Sequence, residues 1–216
     1  MEFYLLNIKN KIQSLAIYCA NNGNIDMEKL KENLSLYLNQ LSQSNLATIQ
    51  SKIAKEIEYS SDSQNMLIDL ILTNGLSQSN NLPVLLQLLY NLKLISQLAG
   101  IQEKKLFENT LKETDASNYD QMCDFNRFNL IYKNGYIFLG LIYNKCGEIS
   151  LQRLIKLFHL LESNIVDENK SKELTEKYID IYVEFIRLVG AQLKKTSNDI
   201  YNDILNKLIK NKTFIR

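Results

Sequence analysis

Apolar residues recur at helical spacing from one end of the chain to the other, and this restricts the fold more than any other feature. Met27, Leu30, Leu34, Tyr37, Leu38 and Leu41 fall at i, i+3, i+7, i+10, i+11 and i+14. Asp26 precedes them as an N-cap. Leu46, Ile49, Ile53 and Ile57 repeat the pattern, as do Leu151, Leu154, Ile155, Phe158 and Leu161. A longer run uses Leu174, Tyr178, Ile181, Tyr182, Phe185, Leu188 and Val189. No stretch alternates with the two-residue period of a strand. Three Asn-Gly pairs occur, at Asn22-Gly23, Asn74-Gly75 and Asn134-Gly135. Their flanks are helical in period, so the first two read as helix ends. The third either separates two helices or interrupts one.

Short polar breaks divide the chain at residues 21–25, 42–45, 59–63, 77–81, 115–118, 146–148, 164–170 and 195–198. They imply an all-α fold of about ten antiparallel helices, each roughly 10 to 20 residues long. Pro83 suits the first turn of the helix it opens, where a missing N–H goes unnoticed. Consecutive amphipathic helices with short links suit either a HEAT-like α-solenoid or a compact bundle. With no link longer than about seven residues, one domain over residues 1–216 is expected. It comprises an N-terminal helix over 1–24 and a main region over 25–216.

Composition removes several classes. The chain has 216 residues, 45% of them hydrophobic, 23% charged, and a formal net charge of +1. That is enough apolar material for one substantial core. No apolar run approaches the roughly 20 residues of a membrane span. The start, Met1-Glu2-Phe3-Tyr4, lacks the basic region of a secretory signal. Cys19, Cys123 and Cys146 are far apart in apolar neighbourhoods, and they read as reduced packing residues of an intracellular protein. With His159 as the single histidine and no paired thiols, no metal or cofactor site is expected.

Charge is uneven. Residues 193–216 carry six basic side chains (Lys194, Lys195, Lys207, Lys210, Lys212, Arg216) against Asp199 and Asp203. This end is either a surface for RNA or an acidic partner, or a solvated helix with a loose tail.

Four stretches, in order, resemble the middle domain of translation initiation factor 4G. Leu38-Asn39-Gln40-Leu41-Ser42 is similar to the family's Leu-Asn-Lys-Leu-Thr. Ile68-Asp69-Leu70-Ile71, followed by Asn80-Asn81-Leu82, resembles its Ile-Asp-Leu-Ile-Phe and Pro-Asn-Phe. Phe138-Leu139-Gly140-Leu141-Ile142-Tyr143 looks like its Phe-Ile-Gly-Glu-Leu-Phe. Phe185 to Leu193 resembles its Leu-Leu-Thr-Thr-Ile-Gly-Lys-x-Leu. The chain departs from the family at Leu141, which stands where the family has an acid, and in the spacing of Gly135.

The resemblance implies a cytoplasmic HEAT-like scaffold. It would bind and stimulate a DEAD-box RNA helicase of the initiation factor 4A type and help bring mRNA to the ribosome. Helicase contacts would lie in inter-helix loops at one edge. The matching residues are Asn39, Gln40, Ser42 and Gln43, then Asn80 and Asn81, with Lys194 and Lys195 towards the other end of the chain. Each of these is either a contact or an ordinary solvated loop residue. Lys207, Lys210, Lys212 and Arg216 are the candidate RNA contacts. The alternatives are a scaffold of the same fold in mRNA decay or RNA processing, and a HEAT-like adaptor with no helicase partner.

Tyr136-Ile137-Phe138-Leu139-Gly140-Leu141-Ile142 matches by letter the motif that partners present to a cap-binding protein. The segment is apolar all round, which argues burial, so any cap-binding contact would come from outside this chain. No phosphate loop, G-x-S-x-G or H-E-x-x-H occurs, and a non-enzymatic role is expected. Gly140 and Gly190, inside apolar helices, mark close approach of a neighbouring helix.

Overall fold

The computed structural model describes residues 26–58, 60–113 and 119–213, without the side chains of residues 79 and 211–213. The helix expected over residues 1–24 lies outside them. Among the described residues the structure is all-helical, with nine α-helices and no strand. They are α1 (Met27–Gln40), α2 (Leu46–Ile57), α3 (Ser61–Thr73), α4 (Leu82–Asn91), α5 (Ile95–Glu108), α6 (Tyr119–Cys146), α7 (Leu151–Ile165), α8 (Lys172–Thr196) and α9 (Asn198–Thr213). Two 3-10 turns, Gly75–Ser77 and Ser79–Asn81, link α3 to α4. None of the helices is long and apolar enough to cross a membrane.

Local chemistry explains most boundaries. Asp26 Oδ1 accepts the Lys29 amide at 3.1 Å and starts α1. Ser60, Ser150 and Ser171 cap α3, α7 and α8 in the same way. Pro83 sits in the first turn of α4.

Three boundaries differ from the sequence reading. The chain turns at Leu92–Leu94, where no break was expected. Lys93 adopts φ 59°, the Leu94 amide donates to Leu89 O at 3.0 Å, and the Lys93 amide donates to Tyr90 O at 3.1 Å. This is a Schellman cap with lysine in the position that glycine usually fills. Helix α5 ends at Glu108, well before the polar cluster at 115–118, because Asn109 Nδ2 returns to Lys105 O at 2.7 Å. Asn134-Gly135 neither separates nor interrupts anything: α6 runs through it for 28 residues. Asn134 Nδ2 donates to the buried Leu76 carbonyl at 2.6 Å, and Gly135 gives way to the Gln102 side chain. The pair is a packing notch.

Inter-helix bonds give the directions. Asn33 on α1 donates to Glu56 on α2 at 3.1 Å, so these helices are antiparallel. Gln97 pairs with Asn65, and Lys105 with Asp69, so α3 and α5 run the same way. Ser96 at the start of α5 reaches Glu148, just past the end of α6, so that pair is antiparallel. Lys133–Glu184 and Asn144 to Leu188 O set α6 and α8 in the same direction. After Ser197, α9 doubles back along α8. These bonds set α3, α5 and α9 in one direction and α6 and α8 in the other, and the short links between the remaining helices imply the same alternation. Most meet chiefly the next and next-but-one helix in the chain. A core runs continuously from Leu30 on α1 to Leu208 on α9.

Gly140 admits the close approach its sequence position implied. A Cβ there would lie 2.7 Å from Leu188 Cδ2 and 3.1 Å from both Phe185 Cε2 and Val189 Cγ1. Tyr136, Phe138 and Leu139 are fully buried, so the cap-binding letter match is core. Cys123 is exposed, contrary to expectation, because burial on α6 begins only at Tyr132. Cys19 lies outside the described residues.

Candidate partner-binding edges

The alternation of direction sorts the inter-helix turns onto two edges. One edge carries the α1–α2 turn, the two 3-10 turns and the α7–α8 link. The opposite edge carries the α2–α3, α4–α5, α6–α7 and α8–α9 turns.

The first edge collects Asn39, Gln40, Ser42, Gln43, Asn80 and Asn81. Asn45 staples the α1–α2 turn: its Oδ1 accepts the Ser42 amide at 2.8 Å and its Nδ2 donates to Gln40 O at 2.7 Å. Ser42 Oγ lies 3.0 Å from Ser44 Oγ. Asn81 Nδ2 donates to Gln78 Oε1 at 2.6 Å. Ser42 and Asn81 thus hold their turns in shape, whereas Asn39, Gln40, Gln43 and Asn80 present exposed side chains. These are neutral donors and acceptors, matched to a protein surface better than to phosphate.

Lys194 and Lys195 do not join them. They occupy the last turn of α8 and emerge at the opposite edge. Along α6, Arg127 donates to Asn74 at 2.9 Å and Asn144 donates to Leu188 O at 2.7 Å. At 1.5 Å per residue these two contacts stand about 25 Å apart. One edge cannot hold both groups. Lys194 lies instead over the Tyr201 ring, 5.8 Å from its centroid.

The sequence reading missed Arg127 and the crevice beside it. A cleft of about 70 Å³ opens between α5 and α6, lined by Leu72, Leu106, Phe128, Ile131, Tyr132 and Lys105. Tyr132 is 3% exposed and its hydroxyl makes no hydrogen bond. Burial pushes its pKa well above the ordinary tyrosine range. Nothing in a lone arginine inside a helical period signals this arrangement.

The candidate RNA residues are spread unevenly. Lys207 Nζ lies 3.0 Å from Asp203 Oδ2 and 3.4 Å from Glu162 Oε2. Burial alone would lower its pKa, but Asp203 and Glu162 outweigh it and hold the ammonium above the usual lysine range. Lys207 and Lys210 line a shallow groove of about 390 Å³ between α7 and α9, with His159, Glu162, Ser163 and Val166. The side chain of Lys212, and all of Arg216, lie outside the described residues.

Glu162 was also missed. Its Oε1 accepts from Tyr182 Oη at 2.9 Å, and its Oε2 lies 3.0 Å from His159 Nδ1. A sequence signal existed: Glu162 falls four residues after Phe158, on the apolar stripe of α7. His159 itself lies at the edge of the helix with its side chain exposed. Among the described residues no group of three or more His, Cys, Asp or Glu side chains is placed to hold a metal.

Comparisons with protein-family models, with curated proteins and with solved structures find no match.

Proposed function

We propose that the chain is a HEAT-like α-solenoid, one domain over its length, that acts as a cytoplasmic scaffold for a DEAD-box RNA helicase in translation initiation. The observation that supports this reading is that most helices meet chiefly their next and next-but-one neighbours in the chain. The order of the initiation-factor-like segments supports it. So does the burial of Phe138, Leu139 and Ile142 in the segment most like the family core.

In this reading the exposed side chains of Asn39, Gln40, Gln43 and Asn80 contact the helicase. A rigid edge touching two lobes favours the relative orientation it fits. It shifts that equilibrium only by its difference in affinity for the two states. The chain performs no chemistry. Lys207 is held by Glu162 and Asp203, so among the described side chains Lys210 is the RNA contact of this reading, and its contribution would weaken with salt.

The test measures ATP turnover by an initiation factor 4A type helicase on RNA, with and without this chain. Stimulation of several-fold, lost in the combined Asn39→Ala, Gln43→Ala and Asn80→Ala variant but kept in Lys194→Ala, is the expected result. Absence of both stimulation and binding at micromolar concentrations would remove the proposal.

A further inference from the structure

Helix α9 is attached differently from the helices it covers. Helix α8 buries ten residues, among them Tyr178, Tyr182, Phe185 and Leu193. The described side chains of α9 bury two, Ile204 and Leu208. Local opening is easiest where few apolar contacts hold an element.

Beyond those two, Ile200, Tyr201 and Leu205 pack only partly buried against the core, and the polar contacts that fasten α9 converge on Glu162. The carboxylate is only 15% exposed. Its Oε2 faces Lys207 of α9 at 3.4 Å and its Oε1 receives the Tyr182 hydroxyl of α8 at 2.9 Å. Tyr182 Oη also lies 3.1 Å from the Ile204 carbonyl of α9. One hydroxyl proton thus serves two acceptors, one on each side of the seam. From α7, Glu162 reaches both α8 and α9. Opposite it, Tyr201 fits the notch left by Gly190, with its ring 3.1 Å from where a Cβ would sit.

We infer that α9 is a detachable end helix, latched by Glu162 through Lys207 and the Tyr182 hydroxyl, whose release bares the Tyr182–Gly190 face of α8. This is a conformational device independent of any helicase. Ser197 alone separates α8 from α9 and is the hinge.

Amide hydrogen exchange on the full chain tests it. In the wild type, the Ile204 and Leu208 amides should exchange together and faster than those of Tyr182 and Phe185. Glu162→Gln keeps the shape and an acceptor for Tyr182 but drops the charge. It should speed exchange in α9 about three- to five-fold, the range for a partly screened ion pair, and leave α6 unchanged. Raising salt should speed α9 exchange in the wild type and have little effect in Glu162→Gln. Leu208→Ala serves as control: it should speed α9 exchange while the salt response survives. Exchange of α9 and α8 at one common rate would overturn the inference, as would an identical salt response in Glu162→Gln and wild type.

Discussion

At the scale of single residues, three helical glycines give a graded test of packing. Replacing Gly by Ala in a helix interior gains about 1 kcal/mol from backbone propensity. The neighbour decides what remains. At Gly190 the nearest atom to a new Cβ is the half-buried Tyr201 ring at 3.1 Å. At Gly140 it is Leu188 Cδ2 at 2.7 Å, backed by the buried Phe185. At Gly135 it is Gln102 Nε2 at 2.0 Å, an amide only 3% exposed. Thermal melts should therefore rank Gly190→Ala near wild type, Gly140→Ala below it by about 1–2 kcal/mol, and Gly135→Ala lowest, since overpacking typically costs about 1–3 kcal/mol. Equal melting of all three would contradict these contacts. The roles of Gly140 and Gly190 were legible, because glycine inside an apolar helix has few other uses. Gly135 looked like a turn, since Asn-Gly is a turn signal and the notch it fills is made by Gln102, 33 residues earlier in the chain.

At the scale of elements, most helices could be read because polar clusters and serine or aspartate caps sit where the chain turns. The α4–α5 turn was hidden because its left-handed residue is Lys93, flanked by Leu92 and Leu94. A non-glycine residue in that conformation is strained by roughly 1 kcal/mol. Lys93→Gly should raise stability by about 0.5 kcal/mol after the entropy a glycine adds to the unfolded chain. Urea denaturation measures this, and a clear loss of stability would argue against the Schellman geometry. The two candidate edges were legible only in part. Polar residues in turns can be read from sequence, but which turns share an edge depends on helix direction. Lys194 and Lys195 were for that reason grouped with residues they do not meet.

At the scale of the molecule, four tyrosines tie stability to alkaline pH. Burial, first of all, raises the pKa of Tyr132, Tyr136, Tyr178 and Tyr182 above the ordinary 10.0. Lys207 is also raised. A group whose folded pKa exceeds its unfolded value contributes stability below the unfolded pKa and loses it as pH rises towards the folded one. Melting temperature should thus show no tyrosine-linked fall through neutral pH and decline above about pH 10. Tyrosinate absorbance should appear together with loss of helical circular dichroism. Tyrosines that ionise at their ordinary pH while the helices persist would contradict their burial. No short motif announces this core; it follows from Tyr132 and Tyr136 on α6 meeting Tyr178 and Phe185 on α8, more than 40 residues away.

The two long helices also make the molecule mechanically uneven. Helices α6 and α8 have 28 and 25 residues and lie side by side in one direction, whereas α4 has 10. At 1.5 Å per residue the pair forms a beam about 40 Å long beside links of about 15–20 Å. Load applied across the short-helix half bends it at its many turns. Load reaching α6 and α8 is carried along two rods that interlock at Gly140, and the stiff half keeps its shape while the other half adapts.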